Sequence, residues 1–152
     1  MQMLSPPTTE EKLTPRENMV IKRSNGISAK QYLTLYQLVG QCSRWPKRDL
    51  LEIENILQNP QIDVILLYLE EKIVGLAELD RRQFPDIEIK YFGLLPEFIG
   101  QGLGSFFVDR IFRFGWNYTP NRLWGHIVDC DHPNAINTYE RAGAHIYKQE
   151  IQ

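Results

Sequence analysis

The sequence predicts an α+β domain, layered α/β/α, with a mixed and mostly antiparallel central sheet of about six strands and four helices. Three observations lead there. Residues 64–95 hold three successive β-type runs parted only by short polar breaks, so they should pair as antiparallel neighbours. The third run passes through a glycine-rich turn at 100–104 into a long amphipathic segment and then another strand-like run, the layout of a crossover between parallel strands. Two helical periodicities lie before the strands and supply a second helical layer.

Each element has its own reason. Residues 1–18 carry Pro6, Pro7 and Pro15 among threonines and glutamates with few large apolar groups, which predicts a flexible N-terminal arm ahead of one domain over 19–152. Met19 to Arg23 reads as a short first strand ended by Asn25-Gly26. Ser28 is a helix cap followed by Tyr32, Leu35, Tyr36 and Val39 at helical spacing, with Gly40 as the stop. A second helix spans Arg48 to Gln58, and Asn59-Pro60 ends it. Val64 to Leu69 is nearly all apolar, as in a strand covered on both faces. Ile73 to Leu79 completes a hairpin with it, and Asp86 to Leu95 is the fourth strand.

In the long helix after the glycine turn, Leu103, Phe107, Ile111 and Phe114 form one stripe widened by Phe106, Val108 and Phe112, while Asp109 and Arg113 can pair on the other side. Leu123 to Val128 is the fifth strand. Asp131 caps a last helix that ends near Gly143, and His145 to Gln149 is a last strand.

Composition narrows the function classes. At 152 residues, 43% hydrophobic and 24% charged, the chain can bury a sizeable core. A net charge of −2 gives no field for gripping a polyanion, which argues against nucleic acid as the main partner. No apolar run approaches a membrane span, so no membrane partner is expected. A polar N-terminus and two distant cysteines, Cys42 and Cys130, lead us to expect a cytoplasmic protein with reduced thiols. His126, Asp129, Cys130, Asp131 and His132 are metal-ligand types, but their spacing matches no familiar zinc pattern, so no metal is expected.

The chemistry centres on the turn. Gly100, Gly102 and Gly104 allow successive amides to converge at the start of a helix, whose unpaired N–H groups and dipole favour a phosphate. The same glycines would also suit a plain loop and a close helix–sheet contact. G-x-G-x-G is not the dinucleotide fingerprint G-x-G-x-x-G, and no Gly-Lys-Ser/Thr follows, so nicotinamide and nucleoside-triphosphate sites are disfavoured.

Ile99-Gly100-Gln101-Gly102-Leu103-Gly104 resembles the Arg/Gln-x-x-Gly-x-Gly/Ala signature of the GNAT superfamily of acyl-CoA-dependent acyltransferases, with Ile99 in place of the leading Arg or Gln. Ala135-Ile136-Asn137-Thr138-Tyr139-Glu140-Arg141-Ala142-Gly143 is similar to the family's A-I-x-x-Y-E-x-x-G helix, with Ala144 where a Phe is usual. The resemblance runs from about Val64 to Lys148 and implies that the fourth and fifth strands are parallel and splayed.

It also implies that acetyl-CoA, or another coenzyme A thioester, is the co-substrate. Its pyrophosphate would lie on the backbone of Gly100, Gln101, Gly102, Leu103, Gly104 and Ser105. Its pantetheine would lie in the splay beside Leu94 and Leu95, near His132 and Asn134. The bulge that opens this splay is expected at Gly93-Leu94-Leu95.

By the same resemblance Glu88 is a base candidate, and Tyr139 would protonate or stabilise the leaving thiolate. Period two would put Glu88 on one face with Lys90 and Phe92, and that lysine would favour the ionised carboxylate. An ordinary ion-paired strand glutamate, with a water chain carrying the proton, and a core tyrosine are the alternatives. Tyr32 and Trp45 fall where the fold usually covers an acceptor, and His126 is either a wall of that site or a plain sheet histidine. Arg44, Lys47 and Arg48 read as a solvated polar face, with an acceptor carboxylate or the coenzyme's 3′-phosphate as the alternative contact. The implied activity is transfer of an acetyl or other short acyl group to a small-molecule or peptide amine. A non-catalytic acyl-CoA sensor is the alternative, and a homodimer is compatible with the fold.

Overall fold

The computed structural model describes residues 1–24, 26–41, 44–126 and 135–145. Its strands are β1 (Gln2–Met3), β2 (Met19–Arg23), β3 (Ile62–Leu69), β4 (Lys72–Asp80), β5 (Asp86–Leu94) and β6 (Arg122–Gly125). Its helices are α1 (Ala29–Gly40), α2 (Leu50–Gln58), α3 (Leu103–Trp116) and α4 (Ala135–Arg141), with one turn of 3-10 helix at Pro96–Phe98. The sheet order is β1-β6-β5-β4-β3-β2, and every pair is antiparallel except β5–β6.

Local chemistry sets the element ends. Ser28 and Gln31 form a reciprocal capping box at α1, each side chain bonding the other's backbone N–H at 3.1 Å. Asp49 caps α2 through the Glu52 N–H at 2.8 Å, so the helix begins at Leu50, two residues later than the periodicity suggests. The β3–β4 hairpin turns on Glu70-Glu71, Glu70 taking a positive φ of 58° without the usual glycine or asparagine.

The two sheet faces carry separate cores. On one, Leu103, Phe107, Ile111 and Phe112 of α3 pack against Leu67, Val74, Leu79, Ile87 and Ile89. On the other, Tyr32, Leu35, Tyr36 and Val39 of α1 and Ile53 of α2 pack against Val64, Leu66 and Leu76. Burial of each such side chain stabilises the fold by about 1.5–3 kcal/mol, so both helical layers are held by apolar area.

Three expectations differ from the structure. The segment read as a flexible arm supplies β1: Met3 is buried in the α3-side core, the Met1 α-ammonium donates to the Gly125 carbonyl at 2.8 Å, and the Gly125 N–H donates to the Met1 carbonyl at 3.0 Å. Proline content hid this because the pairing rests on residues ahead of the prolines. The sheet's sixth member is therefore β1; His145 makes an isolated bridge to Gln2, and residues 146–149 lie outside the described set.

The third difference is the bulge. Gly93 and Leu94 pair regularly with Leu76 and Gly75, whereas Glu78 faces Tyr91 and Leu79 faces Ile89. Lys90 is thus the extra residue, and it shifts the side-chain alternation by one. Ile87 and Ile89 before it, and Phe92 and Leu94 after it, all join the α3-side core. Glu88 and Phe92 therefore point to opposite faces, against the simple period-two reading.

Candidate functional site

The glycine turn leaves a helix start open. Gly102 is the N-cap of α3 with φ 81°, and no side chain caps it. Gly100 also has positive φ, 85°, and an added Cβ at either position would meet nothing within 4 Å. The strain that glycine relieves here is in the backbone, and the space beside the turn is open. Leu103 is wholly buried, while Gln101 is exposed and Ser105 half-buried. The arrangement suits a phosphate on the first-turn amides.

Beside it the sheet opens. β5 and β6 run parallel through Asp86–Arg122, Ile87–Leu123, Glu88–Trp124 and Ile89–Gly125, and among the described residues the ladder ends there. Lys90, the bulged residue, comes next on β5. A bulge bends its strand, so the opening follows directly from it. Leu94 and Leu95 point into the two cores, and the Leu95 N–H is already bonded to the Val74 carbonyl at 2.8 Å, which leaves a backbone edge rather than side chains on offer.

A cavity of about 270 Å³ occupies this opening. Glu88, Lys90 and Tyr91 of β5, Phe112 of α3, His126 after β6 and Tyr139 of α4 line it, together with Trp45 and Arg44 from the α1–α2 loop. Glu88 and Tyr139, singled out separately in the sequence, thus share one wall system. Tyr139 is half-buried, its ring 6.1 Å from Phe92 and 6.5 Å from Phe112. Burial pushes the Glu88 carboxyl above its ordinary value, outweighing the opposite pull of Lys90 and His126. Lys90 itself lies 3.6 Å from Asp80, the cross-strand neighbour of Glu88. The lysine thus acts on Glu88 in the expected direction, and burial outweighs it. Burial also acts upward on Asp80, but hydrogen bonds from Arg82 and the charge of Lys90 bring it below its ordinary value.

Trp45 sits in an aromatic group with Tyr36 at 5.2 Å and Tyr91 at 5.0 Å, and His126 is exposed, edge-on to Trp124 at 5.4 Å. Tyr32 is not on the cavity. It is fully buried and its hydroxyl donates to Glu78. Its α1 position faces the core because Leu35 and Tyr36 share that stripe. His132 and Asn134, and most of the His126–His132 cluster, lie outside the described residues. Among the described residues no group of three metal-ligand side chains converges.

Sequence reasoning missed the charged pair beneath this site. Arg48 donates to both carboxylate oxygens of Glu78, at 2.7 and 3.2 Å, with side chains 8% and 1% exposed. Its guanidinium lies 4.8 Å from the Tyr36 ring centre and 4.7 Å from that of Tyr91. It is a buried strut, not part of a solvated polar face. The signal was Glu78 itself, a carboxylate within the apolar run Ile73–Leu79, where burial demands a partner.

A second cavity of about 350 Å³ adjoins the first through Pro46, Lys90 and Tyr91 and extends to Glu52, Asn55 and Asp80. The two spaces lie on either side of the bulged residue.

Comparison with solved structures gives the same architecture. An aminoglycoside acetyltransferase from an uncultured soil metagenomic sample, solved with trehalose, superposes with a TM-score of 0.70 at 16% identity, over 89% of this chain and 93% of that one. A GNAT family acetyltransferase from Streptococcus pneumoniae TIGR4 gives 0.63 at 19%, over 84% and 88%. An aminoglycoside N-acetyltransferase in complex with CoA gives 0.67 at 20%, over 92% and 97%. No curated protein matches the chain. At these identities the structures establish the fold alone. The sequence profile of the acetyltransferase (GNAT) family matches residues 32–144. That span takes in the parallel β5–β6 pair, the uncapped glycine turn between them and the α4 tyrosine, and by it the chain belongs to the GNAT acetyltransferase family.

Proposed function

We propose that the chain is an N-acyltransferase that moves an acetyl or other short acyl group from acyl-CoA to a primary amine, by direct attack within a ternary complex. The observation that carries this reading is the shared cavity. A carboxylate whose proton affinity is raised by burial and a half-buried tyrosine line one space, where the parallel ladder ends beside an open helix N-terminus.

The residues have distinct tasks. Amides of Gly100 to Ser105 hold the pyrophosphate, and the free edge of β5 beyond Ile89 takes the pantetheine as an added strand would. Glu88 accepts the proton that the amine loses as its nitrogen bonds the acyl carbon. The carbon–sulfur bond breaks, and Tyr139 donates a proton to the departing thiolate. Trp45 and Tyr91 wall the acceptor side and exclude water.

Around the first cavity, among the described residues, Arg44 and Lys90 accompany one carboxylate, Glu88. This balance suits an acceptor with a single amine and little positive charge better than a polycation. The relatives named for aminoglycosides act on polyamines, so the acceptor class is where this chain would part from them.

Calorimetric titration with acetyl-CoA, followed by coenzyme A release assayed over a panel of amines, tests the proposal. Saturable micromolar binding with turnover on monoamines is expected. Absence of acetyl-CoA binding removes the reading, and binding without turnover on any amine would instead fit an acyl-CoA sensor.

A further inference from the structure

The glycine turn departs from its family signature at Ile99, an apolar side chain 40% exposed where an Arg or Gln is usual. A guanidinium nevertheless reaches this turn from elsewhere in the chain. Arg16 Nη2 donates to Gln101 Oε1, across 85 residues of sequence, and Gln101 Nε2 in turn donates to the Glu97 carbonyl at 2.9 Å.

The segment that carries Arg16 is laid along the outer side of α3. Arg113 donates to the Thr9 carbonyl at 2.7 Å, the Lys12 N–H donates to Asp109 at 3.1 Å, and Arg110 donates to the Lys12 carbonyl at 2.8 Å and pairs with Glu11. Asp109 is 1% exposed although it lies opposite the α3 apolar stripe, which marks how closely the segment is seated. These bonds run down the helix toward its N-terminus and deliver Arg16 to the turn.

We propose that Arg16 is a diphosphate-binding residue of the acyl-CoA site, supplied by the N-terminal segment in place of the side chain missing at Ile99. This rests on the glycine turn being the coenzyme A cradle. A guanidinium presents five N–H donors in a planar fork, and Gln101 takes one of them. Arg16 is exposed and the space beside Gly100 and Gly102 is open, so the rest of the fork is available to bond phosphate oxygens bidentately. The segment of residues 9–16 is then part of the site, and its seating on α3 sets the position of the charge.

The test is calorimetry on the full chain with two probes, acetyl-CoA and S-acetylpantetheine, the second lacking the diphosphate. Arg16→Gln should weaken acetyl-CoA about tenfold and leave S-acetylpantetheine within about twofold of the parent chain. Arg16→Lys, which keeps the charge but loses the fork, should fall between. Adding Ile99→Arg to Arg16→Gln should restore most of the lost affinity. Arg16 is exposed, so thermal melts should be unchanged. Unaltered acetyl-CoA affinity in Arg16→Gln, or equal losses for both probes, overturns the assignment while leaving the cradle intact. If the parent chain binds no acetyl-CoA at all, the cradle reading falls and this assignment with it.

Discussion

Removing Arg48 should be costly, and restoring neutrality beneath it should repair much of the damage. In Arg48→Met the Glu78 carboxylate, 1% exposed, keeps the Tyr32 hydroxyl as its one partner among the described residues. Breaking a buried ion pair from one side costs about 3–5 kcal/mol. For 152 residues the unfolding entropy is about 0.3 kcal/mol/K, so the melting temperature should fall by about 10–15 °C. The double variant Arg48→Met/Glu78→Gln removes the stranded charge while its amide oxygen still accepts from Tyr32. It should recover more than half of the loss, giving a coupling of about 2 kcal/mol or more.

Urea and thermal melts of the parent, Arg48→Met, Glu78→Gln and the double variant measure all of this. A single variant that melts within about 2 °C of the parent, or a double variant no better than the single, would refute the strut.

Three further outcomes follow from the site. Because burial raises the Glu88 pKa, its base form is lost as pH falls through a value above the ordinary glutamate range; kcat/KM should show an acidic limb there that Glu88→Gln abolishes, and the same variant should melt slightly higher at pH 7, having no buried charge to desolvate. Tyr139→Phe should lower kcat about a hundredfold with little change in acetyl-CoA affinity, as steady-state kinetics and titration will show. Gly102→Ala, at φ 81°, should cost about 1–2 kcal/mol and weaken acetyl-CoA binding. Gly104→Ala has its new Cβ 3.7 Å from Leu94, an ordinary contact, and should gain about 0.5–1 kcal/mol with affinity kept.

What was legible in the sequence was what short-range chemistry decides. The α3 stripe, the Ser28 cap, the β3–β4 hairpin and the glycine turn all follow from residues within a few positions of one another, and the structure bears these out. Glu88 and Tyr139 could be named from motif positions, though not that one cavity would unite them. Long-range pairing was not legible. Arg48 and Glu78 are 30 residues apart, and nothing local marks either as the other's partner. Two residues of edge strand, Gln2–Met3, are too short for any alternation to register. The bulge fell at a lysine, while the neighbouring Gly93 drew the expectation three residues downstream and instead makes room for Val39, whose Cγ1 would lie 2.7 Å from an added Cβ.

That misplaced bulge organises the molecule more than any residue the motifs name. Up to Ile89, β5 is locked between β4 and β6, and Gly125 allows the last rung to close: a Cβ there would sit 2.7 Å from the Ile89 carbonyl oxygen. One residue later Lys90 drops out of register, β5 turns away, and β6 remains held on its other edge by the Met1 backbone. Among the described residues the gap therefore begins between a bulged β5 and a β6 anchored on its other edge. The phase shift that opens it also sends Phe92 to the α3 side with Phe107, at 5.0 Å, and leaves Tyr91 on the opposite side with Trp45. A strand without the extra residue would leave Glu88 and Phe92 three positions apart, on the opposite faces they already occupy, and would carry β5 past Ile89 without the kink. Deleting Lys90 should thus close the cavity and abolish acyl-CoA binding in a chain that still melts cooperatively, because the deletion removes no core side chain and leaves Ile89 and Phe92 on the α3 side.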